Sequence, residues 1–160
     1  MASRTSRLPL AATLLLVAGI VLTVAVIASF LPFIGGNFGF LHPIAAAVLA
    51  VALFVLAGQI RHRIAKPALY IAAVGWAVIA LASVVPIPVL PVIAELAAGI
   101  GGIVAGIIIV QNFALPRRAS VGFVVSMVAG ALYLIGVFSF VSFAFGVALI
   151  VTGLLLRRDE

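Results

Sequence analysis

Long apolar runs, broken at short intervals by proline, glycine and basic clusters, make up nearly the whole chain. The first runs from about Leu8 to Phe33 and is ended by Pro32 and the Gly35-Gly36 pair, since proline lacks the N–H that a continuing helix needs. A second opens near His42-Pro43, with proline accepted in the first turn, and continues to about Ile60. After the basic loop RHRIAK, a third runs from Pro67 to about Val84 and stops before PIPVLP, whose three prolines bar further helix. A fourth spans about Val92 to Phe113, before LPRR. The last apolar stretch, Ser120 to Leu156, would be about 55 Å long as one helix, nearly twice the roughly 30 Å hydrocarbon core. It is therefore divided near Gly136 to Ser139 into a fifth segment, 120–135, and a sixth, 140–156.

Composition turns these segments into membrane spans. Of the 160 residues 67% are hydrophobic and 8% charged, against roughly 45–50% and about 25% in soluble domains. The prediction is an all-α integral membrane bundle of six transmembrane helices forming a single domain, residues 1–160, with no room for a globular domain beside it. Residues 1–29 read as a retained first helix, because their apolar stretch exceeds the roughly 7–15 residues of a signal peptide's core. The chain has no cysteine, which removes disulfides, thiolate metal sites and a cysteine nucleophile.

Charge placement sets the expected topology. The formal charge of +6 would suggest nucleic acid in a soluble chain, but the basic residues stand at the borders of apolar segments. With six spans and cytoplasmic termini, Arg4, Arg7, Arg61, Arg63, Lys66, Arg117, Arg118, Arg157 and Arg158 all fall inside, and the outer connections GGNFGFLH, PIPVLP and the turn near Val137 carry no charge. This predicts a plasma-membrane protein whose partner is the lipid bilayer, not nucleic acid. Arg61, Arg63, Lys66, Arg117 and Arg118 are assigned to anionic headgroups, while Gln59, Gln111 and Asn112 at inner helix ends are expected to bond backbone or headgroups.

The stretch ELAAGIGGIVAG carries Glu95, the one acidic residue before the last two positions. Four residues beyond Pro91, it would lie about 6 Å into its helix. One reading has the carboxylate cap first-turn amides. The other starts from the cost of a membrane-embedded charge and makes Glu95, with His42, a proton site or acid sensor. Asn37, Ser83, Tyr133 and Ser139 would share its depth and line an outward-facing pocket. Behind Glu95, Ala94, Ala98, Gly102 and Gly106 recur every fourth residue, with Gly99 beside them. Such a stripe lets another backbone approach closely and predicts either a central packing helix or the face of a homo-oligomer. Trp76, in mid-helix, is core or the wall of a ligand cavity. Phe30, Phe33, Phe38, Phe40, Phe138, Phe140, Phe143 and Phe145 crowd the outer ends and read as bilayer anchors.

No catalytic residue is expected. Paired acids, H-E-x-x-H, a Walker loop and a Ser–His–Asp set are all missing from the sequence, and the glycines at Gly99 to Gly106 follow no strand. No metal site or cofactor is predicted.

The chain also repeats one unit three times. GIVLTVAVIASFLPFIG with AVLAVALFVLAGQIRHR, GWAVIALASVVPIPVLP with LAAGIGGIVAGIIIV, and GALYLIGVFSFVSF with GVALIVTGLLLRR each read as a helical hairpin with a short apolar outer turn. The G-I-x-L arm from Gly19 to Pro32, with Ala57-Gly58 and Thr152-Gly153 closing returning arms, resembles the HdeD-like acid-resistance membrane proteins. That resemblance implies a small six-helix bacterial inner-membrane protein serving envelope or acid stress without enzymatic activity, and carries over no catalytic residue. The alternative is a transporter component binding a small substrate of unknown identity, since the outline is also similar to the substrate-binding subunits of energy-coupling-factor transporters. The short, nearly apolar outer loops count against it.

Overall fold

The computed structural model of the chain describes residues 7–31, 39–112, 114–135 and 139–158, with the backbone alone at 139 and 140. Among them are six α-helices: α1 Leu8–Ser29, α2 Leu41–Gln59, α3 Ala65–Ala82, α4 Leu90–Gln111, α5 Arg117–Leu134 and α6 Ser139–Arg158. Each contains a stretch long and apolar enough to cross a membrane, which makes the chain a multi-pass membrane protein. The last apolar stretch is indeed two helices. Gly136 to Phe138, where the turn was expected, lie outside the described residues, and Ser139 already belongs to α6.

The last five helices start one to three residues earlier than the apolar pattern predicts. Proline accounts for four of those starts, α2 to α5, and for that of α1 as well. Pro9, Pro43, Pro67 and Pro91 all lie within the first three residues of α1 to α4, where an N–H would have no intrahelical acceptor anyway. At α5, Pro116 is the N-cap in extended geometry (φ −52°, ψ 138°), so Arg117 and Arg118 form the first turn rather than a loop. At the other end, α1 closes early: Phe30 N and Leu31 N bond back three residues to Ile27 O and Ala28 O, at 3.1 and 3.0 Å, and tighten the last turn.

The helices form a closed ring. Each packs on its neighbours in sequence, and α6 returns onto α1. Register follows from the glycines: a methyl on Gly75 would meet Ala94 and Ala98, and one on Gly101 would meet Ala68 and Ala72, so residue numbers rise along α4 as they fall along α3. The same opposition links Gly99, Gly102 and Gly106 to Ala131, Met127 and Val124 on α5. It also links Gly19 and Ala12 of α1 to Gly146 and Gly153 of α6. Arg7 N donates to Gln59 Oε1 at 3.3 Å, tying the start of α1 to the end of α2. Arg4 is outside the described residues; by this register the other eight basic residues gather at one end of the bundle.

Small residues hold the ring because lipid tails supply no hydrophobic drive between helices. The added Cβ at Gly75 would lie 2.6 Å from the backbone N of Ala98, and that at Gly19 2.7 Å from Gly146 O. Side chains larger than hydrogen would push whole backbones apart at both points. Polar contacts reinforce the last pair: Ser126 Oγ and Thr152 Oγ1 lie 3.0 Å apart, both residues buried, and each hydroxyl also reaches a carbonyl one turn back, Gly122 O and Ala148 O.

Candidate functional site

Toward the end opposite the basic cluster, the inside of the ring is not completely filled. A cavity of about 100 Å³ remains between α1, α2, α3, α5 and α6. Its walls are Ala18 and Leu22 of α1, Ala45, Ala46 and Leu49 of α2, Trp76 and Ile79 of α3, and Leu149 of α6, with aromatic and polar groups toward the mouth. Small alanines on α1 and α2 leave the space, and larger rings from across the ring partly fill it.

Three polar side chains line it: His42, Ser83 and Tyr133. The ring nitrogen Nδ1 of His42 and the Tyr133 hydroxyl are 3.1 Å apart, joining α2 to α5. With the tyrosine donating, Nε2 of His42 keeps the imidazole proton and presents an N–H; with the roles reversed, Nε2 becomes an acceptor. Nε2 has no partner among the described residues. Ser83 Oγ donates to Ile79 O at 3.0 Å and keeps its lone pairs for another donor.

Behind His42 stands a run of aromatic rings. Tyr133 lies 6.4 Å from Trp76 and 5.8 Å from Phe145, and Trp76 lies 5.7 Å from Phe145, with the rings between 21° and 35° of parallel. The His42 and Tyr133 rings are 6.4 Å apart and 14° from parallel. Trp76 and Phe145 are buried, at 3% and 1% exposure. Gly130, one turn before Tyr133 on α5, makes room for them: a methyl there would stand 3.0 Å from the Phe145 ring and 3.5 Å from Trp76.

Of the four residues predicted at a proton or ligand site, His42, Tyr133 and Trp76 are therefore brought together and Glu95 is not. Glu95 lies on α4, which contributes nothing to the cavity lining. Because α4 begins at Leu90, the residue falls in the second turn, half-buried, and no side chain caps the helix. The capping role expected for Glu95 is thus not seen, and no hydrogen bond or ion pair reaches it among the described residues. It shares a helix side with Gly99, which faces α5.

The small residues behind it are spent within the chain. Ala94 and Ala98 receive Gly75 of α3, whereas Gly99, Gly102 and Gly106 meet α5. The expected single stripe is two stripes, and α4 is a wedge between two helices. Arg61, Arg63, Lys66, Arg117 and Arg118 are all exposed at the basic end. Asn112 Nδ2 donates to Ile108 O at 2.9 Å and Gln59 accepts from Arg7 N, so both bond backbone as expected.

Phe145 departs from its expected role. Its ring is interior and forms part of the cavity wall instead of anchoring in the bilayer, while Phe30, Phe40 and Phe143 are exposed. Phe33, Phe38, Phe138 and Asn37 lie outside the described residues, and the side chains of Ser139 and Phe140 are not described. The signal that would have separated Phe145 is its position two turns before Thr152 on the buried side of α6.

No protein-family model, curated protein or solved structure matches the chain.

Proposed function

We propose that this is a non-enzymatic plasma-membrane protein of three helical hairpins, with cytoplasmic termini, that takes up one small uncharged molecule in the aromatic cavity. The observation that carries this is the joining of an apolar, ring-walled space to a short polar group, His42 with Tyr133, at its mouth. Pockets for small ligands have this character: apolar walls supply affinity and a few placed polar atoms supply orientation. Size narrows the class. An apolar cavity of roughly 150 Å³ accepts benzene, so about 100 Å³ favours a molecule no larger than one ring over the vitamin-sized substrate of the transporter alternative. Lining charge narrows it again: with no carboxylate and no Lys or Arg on the wall, an ion entering would be desolvated without a counter-charge.

Native mass spectrometry of protein released in gentle detergent tests the reading. The expected result is a low-mass adduct, one per chain, that is absent from Ala46→Phe, in which a ring fills the cavity. Bare parent protein that also gains no adduct when offered phenol would overturn it.

A second reading, an envelope or acid-stress role as in the HdeD-like proteins, is favoured by one contact: a doubly protonated His42 has no lone pair on Nδ1 to accept from Tyr133. The acid-responsive group would then be His42 rather than Glu95. On this reading, growth after an acid shift is impaired in His42→Gln and normal in Glu95→Gln; parental growth of His42→Gln would contradict it.

A further inference from the structure

A second concavity lies on the outer surface of the ring, between α5 and α6. It is a groove of about 560 Å³ running from Arg118 to Phe143. Its floor is small, Gly122, Ala144 and Ala148, and its walls are valines with Leu155. A methyl on Gly122 would come within 2.9 Å of Thr152 Oγ1, so the two helices approach closely beneath the groove and the dent above them is built into the packing. From Phe143 to Leu155 the groove follows α6 for about 18 Å, close to one leaflet of a roughly 30 Å hydrocarbon core. Near Val151 and Leu155 it adjoins a second hollow that ends on Arg157 and Arg158.

We propose that this groove holds one acyl chain of an anionic phospholipid, with the phosphate on Arg118. Charge complementarity selects that occupant. Arg118 lines the groove at its basic end and sits in the first turn of α5, where the helix dipole and the unpaired amides also favour an anion. A basic group between helix ends at the headgroup level, with an apolar trough leading into the bilayer, matches the two parts of such a lipid. Asp159 and Glu160 follow Arg158 in sequence and lie outside the described residues. The groove shares no residue with the aromatic cavity, so the two sites stand or fall separately.

The test is lipid retention. Protein reconstituted in vesicles of equal parts phosphatidylglycerol and phosphatidylcholine is released into gentle detergent, and bound lipid is counted by native mass spectrometry. The expected result is one retained phosphatidylglycerol per chain. Arg118→Gln should lower its preference over phosphatidylcholine roughly five-fold, with Arg7→Gln, at the same end but off the groove, leaving it unchanged. Ala148→Leu, which fills the floor, should lose the retained lipid of either headgroup, while Ala47→Leu on the exposed side of α2 keeps it. Equal retention of the two lipids by the parent protein, or equal losses in Arg118→Gln and Arg7→Gln, would overturn the proposal. Displacement of the lipid by free glycerol phosphate would show that the headgroup alone is bound, and would overturn the part assigned to the acyl chain.

Discussion

At the scale of single residues, glycines decide how closely the helices meet, and they are not equivalent. Gly75→Ala places a methyl against the backbone of Ala98, which cannot swing aside as a side chain would, so destabilisation of about 1–3 kcal/mol is expected. Gly58 has open space where its Cβ would be, and Gly58→Ala should leave the melting temperature unchanged or slightly raised. Thermal unfolding in detergent checks the pair: a fall for Gly58→Ala, or none for Gly75→Ala, would contradict the packing. The α4 ladder was legible in the sequence because small residues every fourth position stand out in an apolar run. Its division was not. A step of four residues turns about 40° beyond a full turn, so the row Ala94, Ala98, Gly102, Gly106 winds from the α3 side to the α5 side. No feature of α4 marks where one face ends. Gly75, a lone glycine among β-branched and alanine neighbours, gave no period at all. His42 and Tyr133 were legible as polar groups at one depth and Trp76 as core or a cavity wall in mid-helix, whereas Phe145 was hidden among other phenylalanines.

Elements are set by proline and length. Pro91, which reads with PIPVLP as a barrier, is an entrance in the first turn of α4, and Pro67, which reads as the first residue of α3, is its third, so both predicted starts come two residues late. Length alone separated α5 from α6, although its two halves had no strong breaker between them. Once α6 is placed, Ser126 and Thr152 become its buried polar link to α5. Each hydroxyl has a backbone acceptor on its own helix as well, so losing the cross-link does not leave the survivor unpaired. A double-mutant cycle with Ser126→Ala and Thr152→Val should therefore give a coupling of only about 0.6 kcal/mol, in line with other hydrogen bonds between membrane helices. A coupling above about 2 kcal/mol would mean that the carbonyl bonds do not compensate.

For the whole molecule, the ring separates a basic end from an end bearing aromatic rings and a cavity. The absence of cysteine makes sidedness directly measurable, since any introduced cysteine is unique. With cytoplasmic termini, a membrane-impermeant thiol reagent should label Val84→Cys in intact cells, at a position 76% exposed, and reach Arg63→Cys only after lysis. The reverse pattern would invert the topology. The cavity's function is measurable through Trp76, the one tryptophan in the chain, buried in the cavity wall. The most direct test of the proposed function is the emission of Trp76 in lipid nanodiscs during titration with phenol, a single uncharged ring with one hydroxyl. The predicted result is a saturable change in the parent protein that is absent from Ala46→Phe and weakened in Tyr133→Phe. A response that rises linearly with phenol and is the same in all three proteins would mean partition into lipid, and would contradict a ligand site in this cavity.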